Sequence, residues 1–110
     1  MIKIYKEDTN YLFVSLTVKE ANLANADSFK AELLKLIDGH SQKIVLDLNT
    51  VEYIDSSFLG ALVSALKHAI SRQSDIILVD LRKDIADLFA LIRLDKVFKI
   101  YANFNDVPNH

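Results

Sequence analysis

The sequence predicts an α/β fold: a mixed sheet with an N-terminal β-hairpin, in the order β-β-α-β-α-β-α-β, with helices packed on the sheet. Three observations carry this. Ile2 and Ile4 alternate with Lys3 and Tyr5; after the polar cluster Glu7-Asp8-Thr9-Asn10, Leu12, Val14, Leu16 and Val18 alternate with Phe13, Ser15 and Thr17. Two such runs across a short turn read as an antiparallel hairpin. Further on, short apolar runs alternate with helical-period stretches, the pattern of parallel strands joined by right-handed crossovers. Finally, only two glycines and one proline occur in 110 residues, which argues for regular structure with short connections.

Taken in order, Asn22 to Asn25 reads as a loop. Ala26, Phe29, Leu33, Leu36 and Ile37 then share one helical stripe, with Asn25 as its cap and Gly39 at its end. Ile44-Val45-Leu46 is a buried strand running to Asp47. A second helix opens after Asp55, with Ser56 at the N-cap. On it Leu59, Leu62, Val63, Leu66 and Ile70 fall within an arc of about 100°, the expected sheet-facing stripe. Phe58, Ala61 and Ala65 form a separate flank, while Ser64 and His68 point outward. Ile76 to Val79 is another continuous apolar strand. Ile85, Leu88, Phe89 and Ile92 mark a third helix, and Ile100-Tyr101 a last short strand. The chain reads as one domain, 1–110, with an irregular, mostly polar tail from about residue 102.

Composition narrows the function classes. The chain is 51% hydrophobic, enough for a core without staples, and has no cysteine, which excludes disulfides and thiolate metal sites. Thirteen basic and fifteen acidic residues, net −2, give no electrostatic ground for nucleic acid or an anionic membrane as partner. The N-terminal MIKIYKEDTN lacks the features of a signal peptide, and no apolar run approaches the roughly 18 residues of a spanning helix. A cytoplasmic protein without membrane insertion is the expectation.

The stretch that invites a functional reading is Asp55-Ser56-Ser57. Aspartate and serine are the ordinary residues of a helix start, because their oxygens satisfy unpaired backbone N–H groups. Against that structural role stand two details. Phe58 is a large apolar residue off the expected core stripe, and Ala61 and Ala65 leave the same flank shallow enough for another surface to approach. A helix N-terminus also tolerates a phosphate electrostatically.

Asp55-Ser56-Ser57-Phe58-Leu59-Gly60 resembles the signature of STAS domains, the anti-sigma-factor antagonist family, written D-S-S/T-G-L-G. Val45-Leu46-Asp47-Leu48 with the approach from Val51 to Ile54 is similar to that family's third strand and loop. Leu94-Asp95-Lys96-Val97-Phe98-Lys99-Ile100-Tyr101 resembles its L-D-x-x-F-x-I-Y, and Asn22-Leu23-Ala24-Asn25-Ala26 its D-x-x-N-A. The resemblance implies a STAS-type fold and a non-enzymatic, phosphorylation-controlled switch in bacterial signal transduction and transcription regulation. In such partner switching the unphosphorylated antagonist sequesters an anti-sigma factor, a serine kinase, and so frees a sigma factor. A serine phosphatase reverses the phosphorylation. Carried onto this chain, the resemblance makes Ser56 the acceptor, with Ser57 the alternative. Asn22, Asp55 and Ser57, together with the flank Phe58, Ala61 and Ala65 read from the helical wheel, make up the expected partner-binding set. The resemblance implies no catalytic residue, cofactor or metal; a monomer is expected, with a dimer as the alternative. A second reading is a non-switching STAS adaptor or scaffold subunit of a stress-signalling or lipid-transport complex. The chain departs from the family pattern in having Phe58 for glycine, Asn22 for aspartate and Lys19 for glycine, and its last helix is short or absent.

Other constellations carry less. Asp47 ends a strand as the phospho-acceptor of a receiver domain does, but here the first strand leads into a hairpin, although Glu7 and Asp8 follow it, so Asp47 is expected to organise the loop before Asp55. The surroundings of Ser56 are not G-x-S-x-G. His40, His68 and His110 lack metal-ligand spacing and are expected at the solvated surface. Arg82 and Lys83 read as a solvated helix start.

Overall fold

A computed structural model describes residues 1–108. The elements are β1 (Ile2–Glu7), β2 (Tyr11–Leu16), β3 (Glu20–Ala21), α1 (Leu23–Gly39), β4 (Lys43–Asp47), β5 (Tyr53–Ile54), α2 (Ser56–Ser71), β6 (Ile76–Val79), α3 (Lys83–Leu91) and β7 (Lys99–Tyr101), with 3-10 turns at Leu94–Lys96 and Phe104–Asp106. The expected β-β-α-β-α-β-α-β order is the order of the main sheet. The small pair β3–β5 is additional; strands of two residues leave no periodicity to detect.

In the hairpin, the carboxylate of Asp8 accepts the N–H groups of Asn10 (2.9 Å) and Tyr11 (2.8 Å), an aspartate-made turn. β1 lies antiparallel to β2 with a register shift between Ile4 and Lys6. From β2 onward every pairing is parallel, in the order β1-β2-β4-β6-β7. Because each crossover steps in the same direction, the right-handed rule places the three helices on one face. Burial agrees. Leu12, Val14, Ile44, Leu46, Ile76 and Leu78 join Phe29, Leu33, Phe58, Leu62, Ile85 and Phe89 in one core.

The alternate residues of the same strands, Tyr11, Phe13, Val45, Ile77 and Val79, form a second, smaller cluster on the other face. Both sides of β2, β4 and β6 are thus largely buried, which is why β4 and β6 read as continuous apolar runs. The segment read as an irregular tail covers that second face. Val107 is buried there, the Phe104 ring meets Phe13 edge-on at 5.1 Å and stacks on Tyr5 at 5.4 Å, and the Tyr11 hydroxyl donates to the Pro108 carbonyl at 2.8 Å.

Two sequence expectations about the helices need correction. The loop from Asn22 to Asn25 is instead the first turn of α1. Asn22, not Asn25, is the N-cap: its side chain accepts from the Ala24 N–H, and the Asn25 side chain accepts the Asn22 N–H at 2.9 Å. This reciprocal capping is enough to start the helix ahead of its apolar stripe. The phase of α2 is also different. Phe58 is 0% exposed, Ala61 and Ala65 are buried, and Ile70 is 59% exposed. The flank expected to meet a partner packs against α1: the rings of Phe29 and Phe58 stack with centroids 4.4 Å apart. The small alanines do admit a close neighbour, but that neighbour is the chain's own first helix. Phe58, Ala61 and Ala65 therefore leave the partner-binding set. A helix wedged between a sheet and another helix has a core arc wider than one stripe, and a single-stripe reading underestimates it.

Candidate functional site

The N-termini of α1 and α2 lie at the end of the sheet where the parallel strands finish. Asp55, half-buried, is the residue that joins them. It caps α2: its Oδ1 accepts the Phe58 N–H at 2.9 Å, and its carbonyl takes the Leu59 N–H at 3.0 Å. Its other oxygen, Oδ2, accepts the N–H of Leu23, the first residue of α1, also at 2.9 Å. Its own N–H is held by the Ala21 carbonyl at 3.0 Å. One carboxylate thus satisfies an unpaired donor on each of two helices.

This arrangement relocates the cap by one residue from the position expected. Ser56 is the first helical residue, not the N-cap, because aspartate is as good a cap as serine and sits one position earlier. Ser56 and Ser57 are both exposed. Neither hydroxyl hydrogen-bonds to another described residue. The side chain of Asn22 is occupied in capping α1, beside Asp55. Leu23, the first residue of α1, and Tyr53, two residues before Asp55 in β5, carry exposed apolar side chains, at 73% and 53%. The link from Leu23 to Asp55 spans 32 positions and leaves no local signal; the Asn22/Asn25 spacing is visible in the sequence as a capping box.

The remaining candidates have structural roles. The Asp47 Oδ1 accepts the Asn49 N–H at 2.7 Å, turning the loop that leads toward Asp55. Burial pushes the Asp47 carboxyl above its ordinary value; the Asn49 bond opposes this and Asp80 adds to it. The Arg82 Nε donates to the Asn49 carbonyl at 2.8 Å, and Lys83 pairs with Asp87 at 2.9 Å. His40 Nδ1 lies 2.9 Å from the Leu36 carbonyl. His68, expected to face solvent alone, sits 2.7 Å from Asp38 across the α1–α2 interface, with Arg72 3.6 Å from the same oxygen. The hydrogen bond from His68 holds the Asp38 carboxyl below the usual carboxylate range. His110 lies outside the described residues. Among the described residues no cluster of three or more His, Asp or Glu is placed to hold a metal, and no helix is long and apolar enough to cross a membrane.

Comparison with known proteins identifies the family to which the chain belongs. A Thermotoga maritima protein that carries the name of an anti-sigma factor antagonist is 34% identical over 89 residues, covering 80% of this chain and 79% of that one. The crystal structure of an anti-sigma factor antagonist so named from T. maritima superposes with a TM-score of 0.78 at 30% identity, over 96% of this chain and 88% of that one. The phosphorylated form of the Bacillus cell fate determinant SpoIIAA shares the fold alone, with a TM-score of 0.69 at 12% identity over 97% and 96% of the two chains. The family model of the STAS domain matches residues 6–107. The chain belongs to the STAS domain family.

Proposed function

We propose that this protein is an anti-sigma-factor antagonist that works as a phosphorylation-controlled switch. Unphosphorylated, it binds an anti-sigma factor that is itself a serine kinase, and so frees a sigma factor. The kinase then phosphorylates Ser56, the complex dissociates, and a serine phosphatase restores the first state. In the forward step the Ser56 Oγ bonds to the γ-phosphorus of ATP held by the kinase. The bond to the β-phosphate oxygen breaks, ADP leaves, and the hydroxyl proton passes to a base of the kinase. The chain is the substrate in this step and supplies no catalytic group.

The observation that carries this reading is the division of labour between Asp55 and Ser56. Asp55 does the capping, so the Ser56 hydroxyl is exposed and unengaged at the first turn of α2. A serine whose hydroxyl is not spent on the fold is available to react. The names of its relatives point the same way. Phosphoserine carries about −1.5 to −2 charges, which the N-terminus of α2 accommodates without unfolding, while the added bulk and charge obstruct a close-fitting partner. Asp55 positions the acceptor, and the remaining partner-binding candidates are Ser57, which follows it in the chain, and Asn22, next to the Leu23 that Asp55 holds.

Three baits test the reading in cells of the source organism: wild type, Ser56→Ala and Ser56→Asp. Wild type and Ser56→Ala are expected to retain an ATP-binding serine kinase, and Ser56→Asp to release it, with all three melting alike. Equal retention by all three baits, or no kinase on any, contradicts the switch. Recovery of membrane-transport subunits instead would favour a non-switching adaptor.

A further inference from the structure

We infer that residues 102–108 form a strap that opens as a unit of its own, uncovering the helix-free face of the sheet while the strands and helices stay folded. The segment leaves β7, one edge of the sheet, at Tyr101. It crosses to the hairpin at the other edge, where Phe104 meets Tyr5 and Phe13, and Pro108 meets Tyr11. Among the described residues, it makes no main-chain bond to any strand on the way. The Asp106 N–H goes to the Asn103 carbonyl and the Val107 N–H to the Phe104 carbonyl, both at 3.2 Å. The Asn103 side chain caps the same turn by accepting from the N–H groups of Asn105 and Asp106. These bonds are internal to the strap and survive when it lifts. What holds it down involves side chains: the Phe104 ring, stacked on Tyr5 and edge-on to Phe13; the buried Val107; and the Tyr11 hydroxyl on the Pro108 carbonyl.

The rest of the fold does not depend on these fastenings. Tyr11, Phe13, Val45, Ile77 and Val79 form a cluster separate from the core under the helices. The ladders that join β2, β4, β6 and β7 include no residue of the strap. Units joined to a fold by few buried apolar contacts open locally, well below the free energy of global unfolding. The strap contributes one buried apolar side chain, Val107, and one part-buried ring, Phe104. Packing beneath it is also incomplete, with an open cleft of about 220 Å³ bordered by Phe13, Phe104 and Val107. Opening thus exposes little apolar surface, and it returns conformational freedom to the whole segment. The strap and α2 lie on opposite faces of the sheet, so its opening is independent of Ser56 and of the proposed function.

The chain has no cysteine, so a single introduced thiol reports on one place. Val45→Cys puts it under the strap, and Val14→Cys makes the same change on the helix side; both valines are 0% exposed. In full-length chains with native circular dichroism, the Val45→Cys thiol is expected to react with iodoacetamide about a hundredfold faster than the Val14→Cys thiol. Its rate should depend little on urea below the unfolding transition, because lifting the strap exposes little surface. Adding Phe104→Ala to Val45→Cys should raise that rate about tenfold further. Equal rates with the same steep urea dependence would mean that only global unfolding uncovers Val45, and would overturn the inference. So would a Val45→Cys rate that Phe104→Ala leaves unchanged. Chymotrypsin on the unaltered chain gives a second reading that needs no substitution. A first cut after Phe104, with the remainder intact, is expected; a first cut elsewhere, or digestion only at the rate of global unfolding, overturns the inference.

Discussion

The α1–α2 pair is finished differently at its two ends. At the C-terminal end polar side chains close on one another: His68 of α2 and Arg72, its C-cap, both reach Asp38 of α1. At the N-terminal end the fastening is done by side chains on backbone. Asp55 takes an N–H from each helix, and the Asn22–Asn25 box completes α1. The first arrangement uses up the functional groups it brings together. The second leaves two hydroxyls and two apolar side chains exposed on well-held backbone. A fixed scaffold with uncommitted groups is what a binding surface requires, and the N-terminal end of this pair supplies one.

The comparison can be broken most severely at the buried ring contact between the two helices. Phe58→Ala removes a fully buried ring stacked on Phe29, and should cost about 3–5 kcal/mol in urea unfolding. A cost below about 1 kcal/mol would place Phe58 outside the core. Next comes the cap. Asp55→Ala strips two helix starts of their acceptor and should cost about 1–2 kcal/mol. Ser56→Ala, which touches no bond of the fold, should stay within about 0.5 kcal/mol of wild type. Equal costs for the two would mean that the serine, too, is structural.

Two carboxylates sharpen the contrast through pH, with opposite signs. The folded-state pKa of Asp47 is raised by burial, so its contribution to stability is present below the ordinary value of about 4 and is lost as pH rises through the raised one. Asp47→Asn, which keeps an acceptor for the Asn49 N–H, should therefore gain on wild type in unfolding midpoint between pH 3 and 7. For Asp38 the folded-state pKa is depressed by the His68 hydrogen bond. Its contribution is present above about 4 and is lost as pH falls through the depressed value. Asp38→Asn should show a small deficit at pH 6 that closes toward pH 3. A deficit independent of pH would mean that the His68–Asp38 contact does not tie the two helices together through charge. This last effect should be the smallest, because both partners are well exposed to water.

The hairpin, the parallel strands and the three helices were legible because periodicity reports burial, and burial on one or both faces is what these elements have in common. The tail was not: its few apolar residues, Phe104 and Val107, are too sparse to form a period, yet they cover the second face of the sheet. The acceptor candidate was legible from Asp55-Ser56-Ser57, but its cap was placed one residue late, since aspartate and serine are equivalent by propensity and only hydrogen-bond geometry separates them. The partner surface was misread for a related reason. A flank of one phenylalanine and two alanines looks open on a helical wheel, and the wheel contains no information about α1. Leu23 and Tyr53 gave no signal at all, because a lone apolar residue in a capping turn or a two-residue strand belongs to no pattern.

Asp55 is spent on capping, and on the proposed function this leaves the exposed Ser56 hydroxyl as the phosphate acceptor. The most direct test is site mapping of phosphate by mass spectrometry after incubation with the retained kinase and ATP, on wild type, Ser56→Ala and Ser57→Ala. The account predicts phosphate on Ser56 in wild type and Ser57→Ala and none in Ser56→Ala, with all three chains equally stable. Full labelling of Ser56→Ala, or labelling lost only in Ser57→Ala, would contradict it.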